Sequence, residues 1–382
     1  MWKLISQNTL SNIARCVILG ITTISAHAST FIPHARPPYH IKYSHATSTP
    51  GGLSPAMIKK AYNFPAAYQG AGQVIAIIDF GDNLNIESDL NVFSAQFGLP
   101  ACTSANGCFT KVFPGGTQPP ADPGWVAEIA LDVEWAHAIA PQAKILLVEA
   151  ADEGYGLYFA IQYAYQHTPA TVISISWGMG ENSAEGELDQ FFAESTIPIV
   201  ACTGDSGNGI WYPSASPYVI AAGGTQITID SSGNYVSETA WSGSGGGISA
   251  FENEPAFQTT YVTPNNTKKR GVPDVSYNAS GSAPYAVYDT ADGAGGWIEM
   301  YGTSASAPQW AATIALMKQA KNGNFGNFNG SLYSVARSSA VLNDITTGAN
   351  GSCSYYCQAR SGYDYVTGLG SPQVTNLINR FR

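Results

Sequence analysis

Five short runs of this 382-residue chain carry almost nothing but apolar residues. They are Gln73 to Phe80, Lys144 to Glu149, Thr171 to Trp177, Ile197 to Cys202 and Tyr218 to Ala222. Each is too short for a helix of ordinary length and lacks the polar alternation of a half-exposed strand, so each reads as a strand buried on both faces. Helical spacing fills Val126 to His137, Leu157 to Tyr165 and Ala184 to Glu194 between them. Strands alternating with helices predict an α/β fold, a mostly parallel sheet covered by helices on both faces. Ser54-Pro55-Ala56-Met57 reads as a capped helix start. Residues 223–301 are rich in Gly, Ser and Asn with short β-like pieces, and supply loops and edge strands. No internal repeat or linker is visible, so residues 54–382 are expected to form one domain.

Composition narrows the class. Only 12% of residues are charged, the net charge is -10, and there are 17 Lys plus Arg. A basic surface for nucleic acid is therefore not expected. The first 28 residues have the pattern of a secretory signal: Lys3 and Arg15, an apolar run from Cys16, and Ala26-His27-Ala28 as a cleavage site. The mature chain is expected to be exported (extracellular or periplasmic), soluble once the signal is removed, and monomeric. Residues 29–53 are rich in Pro, His, Ser and Thr and read as an extended leader. Cys102 with Cys108 and Cys353 with Cys357 each enclose a short loop that a disulfide could close, and Cys202 is left as a buried thiol. A zinc site is not expected, because the spacings are wrong and no histidine is near either pair in sequence.

The chemistry-bearing residues are few. Ser304 follows Gly302-Thr303 and opens the helical stretch Ala305 to Lys321. A serine hydroxyl at such a corner is a weak nucleophile until a base takes its proton. Glu128 and Asp132 lie four apart on one helix face among Val126, Ala127, Ile129, Ala130, Leu131 and Val133. The same spacing would suit a solvated face, but the apolar neighbours argue for a buried pair that shares a proton, one pKa raised and the other lowered. Asp205 and Asp79 follow or end apolar strands, where ligands of open α/β sheets bind. Trp177 ends another. His34, His40 and His45 belong to the leader, and His137 reads as a packed helix residue away from Glu128, so a Ser-His-Asp triad is not expected.

Gly302-Thr303-Ser304, Glu128-x-x-x-Asp132 and Gly204-Asp205-Ser206-Gly207 together resemble the sedolisins, the serine-carboxyl peptidases with a subtilisin-like fold. Ser174 to Gly178, Tyr212 to Pro217 and Thr367 to Pro372 extend the resemblance from about Ser54 to the C-terminus. It implies a single subtilisin-like catalytic domain acting on protein or peptide substrates, with Ser304 as nucleophile and Glu128 as general base. Asp132 would orient Glu128, Asp205 would stand in the oxyanion hole, and Asp79 and Trp177 would belong to the supporting network. A protonated Asp205 can donate to an oxyanion where an ionised one would repel it, so the expected activity is an endopeptidase working in acid through an acyl-enzyme. The resemblance also implies one structural calcium, held by the carboxylates of Asp344 and Asp364 and the carbonyls of Ile345, Arg360 and Gly362. The family usually has glycine at the position of Arg360. It also usually carries a long propeptide; here either the chain folds without one or the short leader does a reduced job. The competing expectation is an inactive binding protein on the same fold.

Overall fold

The computed structural model describes residues 33–42, 46–259, 268–291, 295–323, 325, 328–336 and 340–382. The signal segment 1–28 lies outside the described residues. In chain order the main elements are α1 (Pro55–Ala61), β1 (Val74–Phe80), α2 (Ile86–Phe97), β2 (Phe109–Val112), α3 (Val126–Ile139), β3 (Lys144–Ala150) and α4 (Tyr155–His167). There follow β4 (Val172–Ile175), β5 (Ile199–Cys202), β6 (Ile220–Ile229), β7 (Tyr235–Ala240), β8 (Val275–Asn278), β9 (Tyr285–Asp289), β10 (Gly296–Tyr301), α5 (Ser306–Lys321) and α6 (Val374–Phe381).

The central sheet runs β7-β6-β5-β4-β1-β3-β2, with β8 also paired to β6. Seven strands are parallel, and β7 joins β6 antiparallel at one edge. All five apolar runs became strands of this sheet, and their interiors are fully buried. Helix α3 is mostly apolar and all fourteen of its residues are buried, as expected of a core helix. It packs on α5, which rests on β4 and β5, while α4 packs on β1 and β3. Ser54 caps α1 as anticipated, its hydroxyl accepting from the Met57 amide at 3.4 Å.

Three local departures have identifiable causes. The stretch Ala184 to Glu194 breaks into two single turns, Glu185–Leu188 and Gln190–Ala193. Gly186 weakens that helix, and Asp189 at the junction is held by the Tyr212 and Ser216 hydroxyls at 2.9 and 2.7 Å. The strand expected through Trp177 ends at Ile175, because Ser176 and Gly178 turn toward the cleft and bond there instead. Helix α2 and strand β2 were not anticipated. The two short disulfides are present, and Cys202 is a free, buried thiol.

Candidate active site

The chemistry-bearing residues converge at the carboxyl ends of the sheet. Asp79 lies near the end of β1, Asp205 follows β5, Glu128 and Asp132 occupy the first turns of α3, and Ser304 sits in the 3-10 turn that leads into α5. Gly302 precedes that turn at φ 137°, and a Cβ there would lie 2.3 Å from Asp205 Oδ2 and 2.4 Å from the Pro38 carbonyl oxygen. Only glycine fits that close approach.

Asp79, Glu128 and Asp132 form a fully buried carboxylate trio. Burial pushes Glu128 well above the carboxylate range. The nearby Asp132 and Asp79 push it further, and the Ser304 hydroxyl pulls it back. Asp79 is raised by burial and then by Asp132. Asp132 is also raised by burial, but the Ser176 hydroxyl and Glu128 draw it down. The expectation of one raised and one lowered pKa is therefore corrected: desolvation outweighs the splitting and lifts all three. Ser176 Oγ lies 2.8 Å from Asp132 Oδ1 and 3.1 Å from the Ser304 carbonyl. Among the described residues no group meets Asp79 or Glu128 in well-formed hydrogen-bond geometry, so the contacts of Glu128 with the Ser304 hydroxyl and Asp132 are loose ones. Asp132 is thus the member of the trio best able to hold a negative charge. Trp177 serves the trio indirectly, its indole donating to the Ile78 carbonyl at 2.8 Å and so tethering the strand that carries Asp79.

Asp205 is held by Thr303, whose backbone amide and hydroxyl each lie 2.8 Å from Oδ1. Thr303 Oγ1 in turn accepts from the Gly204 amide at 3.0 Å. Burial raises Asp205, while His40 and Thr303 oppose the rise.

The leader, read from sequence as an extended tail, runs through this site. Arg36 pairs antiparallel with Gly178, and His40–Ile41 pair antiparallel with Tyr301 and Met300 of β10. Between them the Ser304 hydroxyl donates to the Pro38 carbonyl at 3.0 Å. His40 Nε2 lies 3.4 Å from Asp205 Oδ2, and His40 is raised chiefly by this contact with Asp205. Placing His40 outside the site was a misreading: sequence separation hid the β-pairing that brings it in.

Sequence reasoning also missed Ser176 and Thr303 as partners of Asp132 and Asp205, although both stand inside the motifs that located the site. His137 is buried and bonds the Pro100 carbonyl at 2.9 Å, which agrees with a packing role. It does lie beside Cys102 and Cys108, because the chain folds that loop against the end of α3. The two sulfurs are bonded to each other, so they are not zinc ligands. A cavity of about 580 Å³ lies at the opposite ends of the strands, where Pro198, Ile199 and Ile220 open β5 and β6.

In the C-terminal loops Asp344 Oδ2 accepts from the Gly362 amide at 2.9 Å and the Ser361 hydroxyl at 3.1 Å. Asp364 accepts from the Arg360, Val366 and Thr367 amides, and burial pushes it up to about 6. Both carboxylates thus face the turn 360–362, and among the described residues no cationic side chain pairs with either. The Arg360 guanidinium instead lies 4.2 Å over the Tyr355 ring. Arg360 does not have a positive φ, so the backbone tolerates arginine there. Two carboxylates with no cationic partner among the described residues are oxygen ligands of the kind a hard cation takes.

Residues 124–352 match the model of the Subtilase family. The chain belongs to the subtilase family, in its sedolisin branch. Kumamolisin from Bacillus sp. (strain MN-32) is 34% identical over 365 residues, covering 87% of this chain and 64% of kumamolisin. Sedolisin from Pseudomonas sp. (strain 101) is 26% identical over 373 residues, covering 87% of this chain and 62% of that protein. This sedolisin-family chain therefore spans just under two thirds of the length of these curated relatives. A solved structure of Pseudomonas sedolisin, a serine-carboxyl proteinase complexed with two molecules of pseudo-iodotyrostatin, superposes with a TM-score of 0.78 at 26% identity. It covers 88% of this chain and 99% of that one.

Proposed function

We propose that this sedolisin-family chain is an exported endopeptidase that works in acid through an acyl-enzyme on Ser304. The observation that carries the reading is the Pro38 carbonyl held 3.0 Å from Ser304 Oγ, with chain continuing on both sides. Upstream the leader is followed back to Pro33, and downstream it continues along β10. A cleft that accepts chain in both directions suits internal cleavage rather than removal of a short terminal peptide.

In the proposed step the Ser304 hydroxyl attacks a substrate carbonyl carbon. In the form of the trio that carries one negative charge, on Asp132, the serine proton passes to Glu128 as the proton of Glu128 passes to Asp132. The trio becomes neutral, the charge moves to the tetrahedral oxygen, and the proton returns through Glu128 to the leaving amine as the C–N bond breaks. Asp205, protonated, donates to the developing oxyanion. An imidazole base would be protonated and idle in acid. The N-terminal signal pattern and two disulfides support an oxidising, exported location.

The test is the pH-rate profile with Asp205→Asn alongside. Activity should fall as pH rises through the raised pKa of Asp205. The amide of the variant donates at any pH, so its falling limb should move upward or disappear. A wild-type optimum near neutrality, or an unmoved limb in Asp205→Asn, would sink the carboxylate mechanism.

We also propose that Asp344 and Asp364, with the carbonyls of Ile345, Arg360 and Gly362, hold one structural calcium. When bound, the ion would neutralise two carboxylates and tie the two loops together. A calcium chelator should lower the melting temperature by a few degrees, because a ligand bound only to the native state stabilises it. Calcium should restore it, and Asp344→Ala should abolish the response. An unchanged melting curve on chelation would count against the site.

A further inference from the structure

The leader marks out the register of a bound peptide. With Pro38 at Ser304, Tyr39 and His40 are the first and second residues beyond the bond presented to the serine. His40 lies directly opposite Tyr301, Ile41 lies opposite Met300, and the Lys42 amide donates to the Glu299 carbonyl at 2.8 Å. On its other side β10 pairs with β9. The edge that faces the leader is thus a strand-addition site, where backbone hydrogen bonds give affinity and alternate side chains give selectivity.

At the second position the selectivity is visible. The His40 imidazole stacks on the Tyr301 ring, with centroids 4.8 Å apart and planes 21° apart. Trp241 closes the corner, edge-on to His40 at 6.5 Å and to Tyr301 at 6.2 Å. The His40 side chain is still 44% exposed, so a larger ring has room. We propose that Tyr301 and Trp241 form a substrate subsite selecting a planar, aromatic side chain at the second residue beyond the scissile bond. This rests on the peptidase reading above.

A neutral ring would fit better than imidazole. It gains the same stacking without placing a cation 3.4 Å from Asp205, where positive charge draws the carboxylate toward the ionised form that cannot donate to an oxyanion. A leader that carries histidine there is therefore bound in the subsite and set against turnover at once.

Two measurements test the subsite. The first needs no catalysis and uses the full chain with Ser304→Ala. Amide exchange at Arg36 and Lys42 should be about three- to tenfold faster in His40→Ala than in His40→Phe, the range expected of one aromatic pair. Adding Tyr301→Ala should erase that difference. The second compares fluorogenic peptides with Phe or Ala at the second primed position. Phe should give about three- to tenfold higher kcat/KM, lost in Tyr301→Ala and kept in Tyr301→Phe. Equal exchange in the two His40 variants, or a Phe preference that survives Tyr301→Ala, would overturn the subsite. If neither peptide is cut in acid, the peptidase reading fails, and the exchange comparison still decides the subsite.

Discussion

Ser304→Ala should lower kcat/KM for peptide hydrolysis in acid by about 10⁴-fold or more. The hydroxyl is fully buried beside the carboxylate trio, and among the described residues the Pro38 carbonyl bonds to it and to no other serine. Glu128→Gln should cost nearly as much, since an amide cannot accept the serine proton. The double variant should be little worse than either single one, because residues that act as one unit are strongly non-additive. Both side chains are small or isosteric changes in a fixed pocket, so folding should be spared. The check is to measure melting temperature and acid-phase hydrolysis on the same preparations. Activity that survives Ser304→Ala at more than a few per cent would remove the serine from the mechanism. Equal losses from Ser304→Ala and from a variant that also unfolds would leave the fold, not the hydroxyl, as the cause.

The candidate site was legible because chemistry and apolar context coincide in it. Glu128 and Asp132 stand among Val126, Ala127, Ile129, Ala130, Leu131 and Val133, so their burial could be read from their neighbours. Asp79 and Asp205 close or follow apolar strands, and strand direction then places both at one edge of the sheet. Helix α2 was equally readable in principle: Ile86, Leu90 and Phe93 recur at helical spacing, and Gly98 ends it in the left-handed region. Its polar residues masked a pattern that the burial of those three side chains makes plain. Strand β2 was harder, since only Phe109 of its four residues is buried. The seat of His40 could not be read at all. It depends on an antiparallel pairing across some 260 residues of chain, and the leader carries neither the alternation nor the length that marks a strand. Ser176 and Thr303 fall between these cases. Their motifs were noticed, but a hydroxyl's partner is fixed by tertiary geometry that spacing does not encode.

The chain should be more stable at pH 5 than at pH 8, with its melting temperature falling by at least about 5 °C across that interval. Burial raises Asp79, Glu128 and Glu134 well above the carboxylate range. It pushes Glu149 and Glu185 up to about 8 and Glu252 to about 7. A carboxylate whose folded pKa is raised stabilises the fold fully below its unfolded pKa. It loses that contribution as pH rises through the folded value, because the native state then binds more protons than the unfolded chain. The window therefore runs from about pH 4.5 to 8, and the slope is negative. His137, lowered to about 4 by burial, opposes it between about pH 4 and 6.5, but as a single group against several. Lys59 and Lys318, lowered to about 8, act only above that pH. Calorimetry on Ser304→Ala would avoid self-digestion. Glu134→Gln adds a control outside the candidate trio: Glu134 Oε2 accepts the Tyr288 amide at 3.0 Å, a bond the amide oxygen can keep. That variant should melt higher at pH 8, change little at pH 5 and so flatten the profile. A melting temperature that is level or rising from pH 5 to 8 would contradict the burial of these carboxylates, and with it the argument that the same burial prepares the trio to move a proton in acid.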